Sequence, residues 1–264
     1  MTVARLARRV LLPAFRRVNV GDVNIKHHWT GDSFRVHSFR HKGYWWHGRK
    51  REAESMQMFA RLVRPAATVF DIGSHIGYIA TYFSSLVGPT GHVFCFEPSP
   101  LNLPYLEENV RRASLKNLTI IRAAAGEHPG KVPFFVETLT GQNSTTIRDF
   151  PLLKANSTFN GLPADYAECE VEMVTADSIG RPEFVKIDVE GASLAALRGM
   201  PSILENTRPR MMVETEPDSA SVALLRAAGY RIYTRQDANI FAVHQSDQDG
   251  TAICNDSPFR LAAG

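Results

Sequence analysis

The sequence predicts an α/β fold in which helices cover both faces of an open, mostly parallel sheet. From residue 52 onward, apolar runs typical of strands alternate with segments of helical periodicity. The 264 residues are 44% hydrophobic and 22% charged, which suits one globular domain and excludes a disordered, collagen-like or coiled-coil chain. No apolar run approaches the roughly 18 residues that a membrane-spanning helix needs. We therefore expect a soluble protein with a substantial core.

Charge divides the chain into two parts. Residues 1–51 carry twelve Lys and Arg against two acidic residues, whereas the remainder carries 18 basic and 25 acidic residues. We predict a basic N-terminal extension over residues 1–51, a main domain over residues 52–246 and a C-terminal tail over residues 247–264. Three widely spaced cysteines without metal-ligand spacing favour a reducing cytoplasm.

Three segments of the extension carry a pattern. Residues 1–18 hold five arginines but too short an apolar stretch for a signal peptide, so they form either an amphipathic helix on an anionic membrane or a solvated arm. Residues 33–39 alternate polar and apolar side chains, which predicts a hairpin or edge strand. Residues 42–51 mix aromatic and basic side chains, which suits an acceptor with a sugar or phosphate. Alternatively, Trp45 and Trp46 pack the extension onto the main domain.

The first half of the main domain begins with a helix and continues with alternating strands and helices. Residues 52–64 place apolar side chains at helical spacing and stop before Pro65. The apolar run at residues 67–72 is typical of a strand buried on both faces. Turns containing glycine or proline separate the next elements, which are a helix at residues 78–86, a strand at 92–96, a helix at 100–112 and a strand at 118–122.

The second half follows a polar, less regular insertion at residues 131–165, which is a candidate substrate cover. The same patterns then predict a strand at residues 170–174, a strand at 184–189, a helix at 192–204, a strand at 210–213 and a helix at 219–228. Two short strands at residues 230–234 and 239–243 are predicted to form a closing hairpin.

Polar residues follow the first two strands of the main domain, where a ligand is expected. In an open α/β sheet, ligands lie beyond the carboxyl ends of the strands. Asp71-x-Gly73-x-x-x-Gly77 ends the first strand with a turn that lets the backbone approach a ligand closely. Glu97, 26 residues after Asp71, can accept hydrogen bonds from both hydroxyls of a ribose. Together these residues predict a nucleoside site.

Two classes of cofactor use such a site. A dinucleotide fold favours G-x-G-x-x-G, because the pyrophosphate lies on the helix N-terminus. Here the turn reads Gly-Ser-His-Ile-Gly after Asp71, whose negative charge repels an anion. The turn therefore suits a cationic ligand without phosphate, such as S-adenosylmethionine. A nicotinamide-dependent oxidoreductase is the disfavoured alternative.

Charged residues also follow two later strands. If the strand at residues 184–189 stays extended, alternation places Lys186, Asp188 and Glu190 on one side of it. Glu214 follows the next strand. Charges in a buried strand are costly unless they are paired. These residues therefore either converge on the reaction site or form a structural ion pair between Lys186 and Asp188.

Four segments carry a resemblance to a known family. They are Val-Phe-Asp-Ile-Gly-Ser-His-Ile-Gly-Tyr at residues 69–78, Phe-Glu-Pro-Ser-Pro at 96–100 followed by Asn102, Val-Lys-Ile-Asp-Val-Glu-Gly at 185–191, and Val-Glu at 213–214. Over roughly residues 42–244 the chain resembles the FkbM-type S-adenosylmethionine-dependent methyltransferases, which are class I methyltransferases. The resemblance implies a Rossmann-like, seven-stranded sheet with an antiparallel last strand. It also implies O-methylation of a hydroxyl on a sugar, glycolipid or polyketide-type molecule.

The resemblance implies a role for each matching residue. Residues expected in the turn beside the methionine part of the cofactor are Asp71, Gly73, Ser74, His75 and Gly77. Glu97 is expected on the ribose, and the residues expected near the adenosine are Pro98, Ser99, Asn102 and, along the adenine ring, residues 123–126 with Ala124. Asn143 and Ser144 are expected to reach the cofactor or the acceptor. His75 departs from the small or amide residue expected in that turn, which leaves its role open between base, substrate contact and helix start.

Methyl transfer to a hydroxyl needs a group that takes the proton as the oxygen loses it. Asp188, which is also expected beside the cofactor, is the first candidate for this role or for holding a divalent cation that acidifies the hydroxyl. Glu190, Glu214 and His75 are the alternatives. Two acids such as Asp188 and Glu190 are compatible with a divalent metal but do not specify one.

The sequence therefore predicts a cytoplasmic O-methyltransferase with a small-molecule or glycan acceptor. The rival interpretation is a noncatalytic protein on the same fold that binds nucleic acid or a membrane surface. A nucleic-acid substrate is disfavoured, because the Asn/Asp-Pro-Pro-aromatic signature typical of base N-methylation is missing after the fourth strand. The first 51 residues are expected to lie outside the cofactor site and to serve the acceptor, a partner or peripheral membrane contact. The oligomeric state is left open.

Overall fold

The computed structural model of the chain describes residues 20–153, 158–159, 162–163, 165–235 and 239–262. The arginine-rich segment at residues 1–18, with its predicted amphipathic helix, lies outside the described residues. Among the described residues, no helix is long and apolar enough to cross a bilayer.

The strands within these ranges are β1 Asp22–Lys26, β2 Ser33–His37, β3 Thr68–Ile72, β4 His92–Phe96, β5 Leu118–Ile121, β6 Ala124–Ala125, β7 Gly130–Glu137, β8 Thr158–Phe159, β9 Leu162–Pro163, β10 Tyr166–Val174, β11 Phe184–Ile187, β12 Arg210–Glu214, β13 Tyr230–Thr234, β14 Asn239–His244 and β15 Arg260–Leu261. The α-helices are α1 Lys42–His47, α2 Ala53–Leu62, α3 Tyr78–Val87, α4 Leu103–Arg112, α5 Ser193–Arg198, α6 Ala220–Ala227 and α7 Gln248–Asn255.

The central sheet has the strand order β15-β13-β14-β12-β11-β3-β4-β5. Its core, from β12 to β5, is parallel, whereas β14 runs antiparallel to both β12 and β13. The predicted class I methyltransferase fold is thereby confirmed, with seven strands of which the last along the chain, β14, is antiparallel. The two-residue strand β15 adds an eighth position at the edge.

The central strands are buried on both faces, which explains their continuous apolar runs. Because successive side chains point to opposite faces, Phe184 joins an aromatic cluster on one side of the sheet, and Val185 joins the apolar core on the other. In the aromatic cluster, the ring of Phe59 on α2 lies 5.8 Å from that of Phe184 and 4.9 Å from that of Phe83 on α3. This packing holds α2 and α3 against the face of the sheet to which Phe184 points.

Two parts of the secondary-structure prediction are wrong. The insertion at residues 131–165 begins in an eight-residue strand, β7, which pairs antiparallel with the nine-residue β10. The strand predicted at residues 170–174 therefore starts at Tyr166. These strands form a separate sheet with β6, and exposed acidic residues alternate along β10, so β10 lacks the apolar run of a central strand.

The helix predicted at residues 192–204 is also divided. It forms α5 and then a π-helical turn, Ile203–Thr207. Pro201 lies between them and, lacking an N–H group, cannot continue the α-helical hydrogen bonds. The preceding strand ends at Ile187, two residues before its predicted end. Asp188 and the residues that follow are consequently free to turn toward the carboxyl edge of the sheet.

The N-terminal extension contains the predicted hairpin, formed by β1 and β2. Phe34 and Val36 of β2 are buried in the aromatic cluster. Asn109 of α4 fastens the hairpin to the main domain, because it accepts from the Arg35 amide at 2.6 Å and donates to the carbonyls of Arg35 and Ile76 at 3.1 and 3.0 Å. The extension is thus seated beside the glycine turn that follows β3.

The segment predicted as a C-terminal tail contains α7 and β15. Helix α7 begins with a side-chain cap, in which Asp247 accepts a hydrogen bond from the Gly250 amide at 2.9 Å. Cys254 and Phe259 of this segment are buried in the aromatic cluster with α2 and β14. The segment therefore adds to the core on the face of the sheet that α2 covers.

Candidate active site

A cavity of about 480 Å³ lies at the carboxyl ends of β3, β4, β11 and β12. This volume is within the usual range for a small-molecule site. The predicted site residues that line it are Gly73, Ser74, His75, Glu97, Pro98, Asn102, Ala124, Asn143, Ser144, Asp188, Glu190 and Glu214. Asp71, Gly77 and Ser99, which were expected in contact with the cofactor, lie behind the wall of the cavity.

The turn after β3 is shaped by close backbone packing. Gly73 has a φ of +83°, and a Cβ there would lie 2.0 Å from the Asp188 carbonyl oxygen. The Ser74 hydroxyl donates to the Asp71 carbonyl at 2.7 Å and closes the turn. Only glycine fits position 73, so the turn can bring backbone to the floor of the cavity.

Glu97 is held by donors from the turn and from its own loop. It accepts from the amides of His75 at 2.7 Å and Ser99 at 2.9 Å and from the side-chain amide of Asn102 at 3.3 Å. Burial raises the pKa of Glu97 to about 7. A carboxylate held in this way retains lone pairs for ribose hydroxyls. Ser99 supports it through its backbone amide and does not line the cavity itself.

Lys186 forms a buried ion-pair centre beneath the cavity. Its Nζ lies 3.1 Å from Asp71 Oδ1 and 3.2 Å from Asp188 Oδ2, and it donates to the Gly73 carbonyl at 3.1 Å. The side chains of Lys186 and Asp71 are 1% and 0% exposed. Because β3 and β11 pair with Lys186 opposite Asp71, the two side chains form an ion pair under the floor, and Asp71 is not among the lining residues. The ion pair between Lys186 and Asp188 that the sequence offered is present, and Asp188 also lines the cavity.

Asp188 and Glu214 share a proton at the open side of this centre. Burial by itself raises the pKa of Asp188, but attraction to Lys186 and a hydrogen bond from Glu214 outweigh it and lower that pKa. The negative charge of Asp188 in turn strongly raises the pKa of Glu214. The two carboxyls therefore titrate as a pair, and the Lys186 ammonium, 3.2 Å from Asp188, favours the charge on Asp188 and the proton on Glu214. Burial also raises the pKa of the neighbouring Glu190, to about 7.

His75 is linked to the N-terminal extension. Its Nδ1 lies 3.1 Å from the Tyr44 hydroxyl, and burial lowers its pKa to about 3, so the imidazole is neutral at pH 7. Its Nε2 is buried and has no hydrogen-bond partner among the described residues. A neutral imidazole with so low a pKa is a poor base, and its free nitrogen is suited to a ligand contact.

Two residues of the extension reach the cavity, although residues 1–51 were expected to lie outside the cofactor site. Tyr44 and Arg51 line the cavity, together with the neighbouring Glu52. Sequence reasoning missed these three residues as site residues, because the extension reaches the cavity only through its packing on α3 and α4. The aromatic and basic pattern of residues 42–51 was the signal that pointed toward a ligand.

The loop at residues 138–146 belongs to the insertion predicted as a substrate cover, and its residues 141–146 line the cavity. Glu137, which is 0% exposed, accepts hydrogen bonds from the amides of Leu139, Thr140 and Gly141 at 2.7–3.1 Å and fixes the loop. Asn143 is in the wall, and its buried Nδ2 has no partner among the described residues.

The wall suits S-adenosylmethionine. Asp188 offers negative charge toward a sulfonium, Glu97 offers an acceptor to a ribose, and the unpaired donor Asn143 Nδ2 is available to a ligand. Ala123, Ala124 and Ala125 add a small apolar surface for a flat base. Within the described ranges, no group of three or more His, Cys, Asp or Glu side chains is placed to hold a metal ion.

Comparison with known proteins identifies the family. The model of the methyltransferase FkbM domain matches residues 71–232, which is more than half of the chain. Hexuronic acid methyltransferase AglP from Haloferax volcanii is 27% identical over 138 residues, which cover 52% of each chain. Methyltransferase 1 from Beauveria bassiana is 21% identical over 144 residues, 50% of this chain and 57% of the relative. The chain thus spans about half the length of the curated relatives it matches.

A solved FkbM methyltransferase from Methylobacillus flagellatus KT aligns with 75% of this chain and 60% of its own, with a TM-score of 0.47 and 16% identity. The family match removes the nicotinamide-dependent oxidoreductase from the interpretations left by the sequence. Since the match covers more than half of the chain, the chain belongs to the FkbM family of methyltransferases.

Proposed function

We propose that the protein is an O-methyltransferase that acts on a hydroxyl of a sugar-containing or related small-molecule acceptor. The observation that carries the proposal is the Asp188–Glu214 pair, in which an ionised carboxylate faces the cavity. A carboxylate can accept the proton of a hydroxyl, whereas a thiolate acceptor has no proton to lose. The similarity to a hexuronic acid methyltransferase supports a sugar as the acceptor class.

The chain's own residues account for the proton. When bound, S-adenosylmethionine supplies an electrophilic methyl group. Lys186 keeps Asp188 ionised, and protonated Glu214 restrains its orientation through the hydrogen bond. Asp188 then binds the acceptor hydroxyl and takes its proton as the oxygen becomes methylated. Even a weakly basic carboxylate suffices, because the methylated oxygen is strongly acidic until it loses the proton.

Removing Glu97 should weaken cofactor binding. In Glu97→Ala, the ribose loses its acceptor and the His75 amide loses its partner, so we expect the Kd for S-adenosylhomocysteine to rise at least about tenfold, or 1.4 kcal/mol. Isothermal titration calorimetry measures this. Glu107→Ala on α4, whose exposed carboxylate pairs with Arg122, is the matched control and should leave the Kd unchanged. Equal affinities in Glu97→Ala and the wild type would remove Glu97 from the ribose site.

The acceptor class can be tested with labelled methyl donor. The protein is incubated with methyl-labelled S-adenosylmethionine and separate pools of neutral sugars, uronic acids, glycolipids, phenolic polyketides, amines and RNA. We expect label on a sugar-containing or polyketide-type acceptor, with an O-methyl resonance in the NMR spectrum of the product. Label exclusively on nitrogen, or on RNA, would contradict the proposal.

A further inference from the structure

Two oppositely charged residues stand next to each other in the wall of the cavity. Arg51 Nη2 lies 3.2 Å from Glu52 Oε1, and the two side chains are 26% and 32% exposed. Both residues line the cavity, although neither was among the predicted site residues. The proton-accepting step proposed above uses neither of them. The pair therefore needs its own explanation.

The position of Arg51 is built by its neighbours. Its guanidinium carbon lies 4.6 Å from the centre of the Tyr44 ring, a cation–π contact. A Cβ on Gly43 would lie 2.7 Å from Arg51 Nη1, so the absence of a side chain there makes room for the guanidinium. Tyr44 itself is fixed through its hydroxyl contact with His75. The cation is thus seated on the aromatic surface of the extension.

The backbone at Glu52 is strained. Its φ of 52° and ψ of 27° fall in the left-handed region, which residues with a side chain rarely adopt. This conformation lies at the start of α2 and directs the chain from the extension into the main domain. Strain of this kind is concentrated at ligand sites, where the surrounding structure holds it in place.

The pair lies on the Asp188 side of the cavity. Arg51 is among the charges that lower the pKa of Asp188, and Asp188 and Lys186 both act on Glu52. A series of contacts leads from Arg51 to Glu97. Arg51 packs on the Tyr44 ring, the Tyr44 hydroxyl contacts His75, and the His75 amide donates a hydrogen bond to Glu97. The opposite charges are consequently separated from the proposed ribose residue by Tyr44 and His75.

We propose that Arg51 and Glu52 bind the amino-acid end of S-adenosylmethionine, with Arg51 on the α-carboxylate and Glu52 on the α-ammonium. That end is a zwitterion, and an adjacent cation and anion match its two charges. A guanidinium can also bind a carboxylate through two parallel hydrogen bonds. With the ribose at Glu97 and the sulfonium near Asp188, the methionine chain continues to the side where Arg51 lies.

This inference concerns the cofactor and does not depend on the acceptor proposed above. It makes the N-terminal extension a structural part of the cofactor site. A rival role for Arg51 is recognition of a carboxylate on the acceptor. The two roles differ in a measurable way, because only the first changes the affinity for a cofactor product in the absence of any acceptor.

The test compares two ligands that differ in the amino-acid end. S-adenosylhomocysteine carries the zwitterion, whereas 5′-methylthioadenosine retains the nucleoside and sulfur without it. Calorimetry is done on the full chain without acceptor. We expect Arg51→Gln to raise the Kd for S-adenosylhomocysteine at least about tenfold and that for methylthioadenosine less than about twofold. Glu52→Gln should show the same selectivity with a smaller loss.

Two further variants complete the experiment. Arg49→Gln removes an exposed arginine whose guanidinium lies 4.5 Å from the Trp29 ring centre and which does not line the cavity, so it should bind both ligands like the wild type. Gly43→Ala displaces the Arg51 guanidinium without changing any charge, and it should weaken only S-adenosylhomocysteine. Circular dichroism melting confirms that each variant is folded.

An equal loss of affinity for both ligands in folded Arg51→Gln, or no loss for either, would overturn the inference. If Arg51→Gln does not fold, Gly43→Ala and Glu52→Gln decide by the same comparison. If these variants bound S-adenosylhomocysteine with the Kd of the wild type, Arg51 would not take part in cofactor recognition. The acceptor assay would still test the proposed function independently.

Discussion

Replacing Lys186 by Met is expected to lower the free energy of unfolding by about 3–5 kcal/mol, because it leaves a buried carboxylate without its cation. Asp71 is 0% exposed, and the Lys186 ammonium lies 3.1 Å from it. Burial already raises the pKa of Asp71, and without Lys186 the charged form loses its main compensation. Urea unfolding at pH 7 measures the change.

The pH dependence of this loss follows from the same carboxylate. In Lys186→Met, Asp71 has a folded-state pKa above its unfolded value, so its charge destabilises the variant above that unfolded value. As the pH falls, Asp71 takes up a proton, and the difference from the wild type should shrink. The double variant Asp71→Asn/Lys186→Met should recover part of the stability at pH 7.

Lys131→Met is the matched control. Lys131 lies 3.2 Å from Glu170, but the two side chains are 62% and 64% exposed. A surface pair of this kind contributes at most about 1 kcal/mol. If Lys186→Met and Lys131→Met changed the free energy of unfolding equally, Lys186 would not be the counter-ion that holds the floor of the site together.

Replacing Asp188 by Asn is expected to lower turnover at least about tenfold, or 1.4 kcal/mol, while the protein stays folded. The amide has nearly the same shape but cannot take the hydroxyl proton. Single-turnover methylation of an identified acceptor measures the loss, and calorimetry with S-adenosylhomocysteine separates it from weaker cofactor binding. Asp218→Asn, an exposed position outside the cavity, is the control.

A double variant that also replaces Glu214 tests whether the two carboxyls act together. The charge of Asp188 is the largest cause of the raised pKa of Glu214, so Asp188→Asn allows Glu214 to ionise at neutral pH. A newly formed Glu214 carboxylate could then replace part of the lost function. We expect Asp188→Asn/Glu214→Gln to lose more turnover than Asp188→Asn. Unchanged turnover in both variants would remove the pair from the mechanism.

Much of the central fold could be predicted because its signals are local. The apolar run at β3 and the helical spacing of α2 mark a buried strand and an amphipathic helix without reference to any other part of the chain. The strand β7 and the first four residues of β10 escaped prediction because these two strands pair with each other outside the central sheet, and exposed charges interrupt the apolar pattern of β10. Pairing partners distant in sequence decide such strands.

The candidate site divides in the same way. The positions of Gly73, Glu97, Asp188 and Glu214 in the cavity wall could be predicted from the sequence, because each lies at or directly after the end of a buried strand. Parallel strands present those ends at one edge of the sheet. Arg51 and Glu52 could not, because their place in the wall depends on how the extension packs against Asn109 and Tyr78. That packing involves residues more than 20 positions away.

The basic extension and the acidic main domain, which the sequence separates by charge, therefore meet at the cavity. The sequence by itself determined the order of the central strands and helices, the glycine turn after β3 and the acidic residues at the strand ends, all of which depend on neighbours within a few positions. Only the tertiary structure decided that Asp71 is sealed beneath Lys186 and that Arg51 of the basic extension reaches the cavity. Both outcomes depend on burial and ion pairing between distant segments, which no local pattern records.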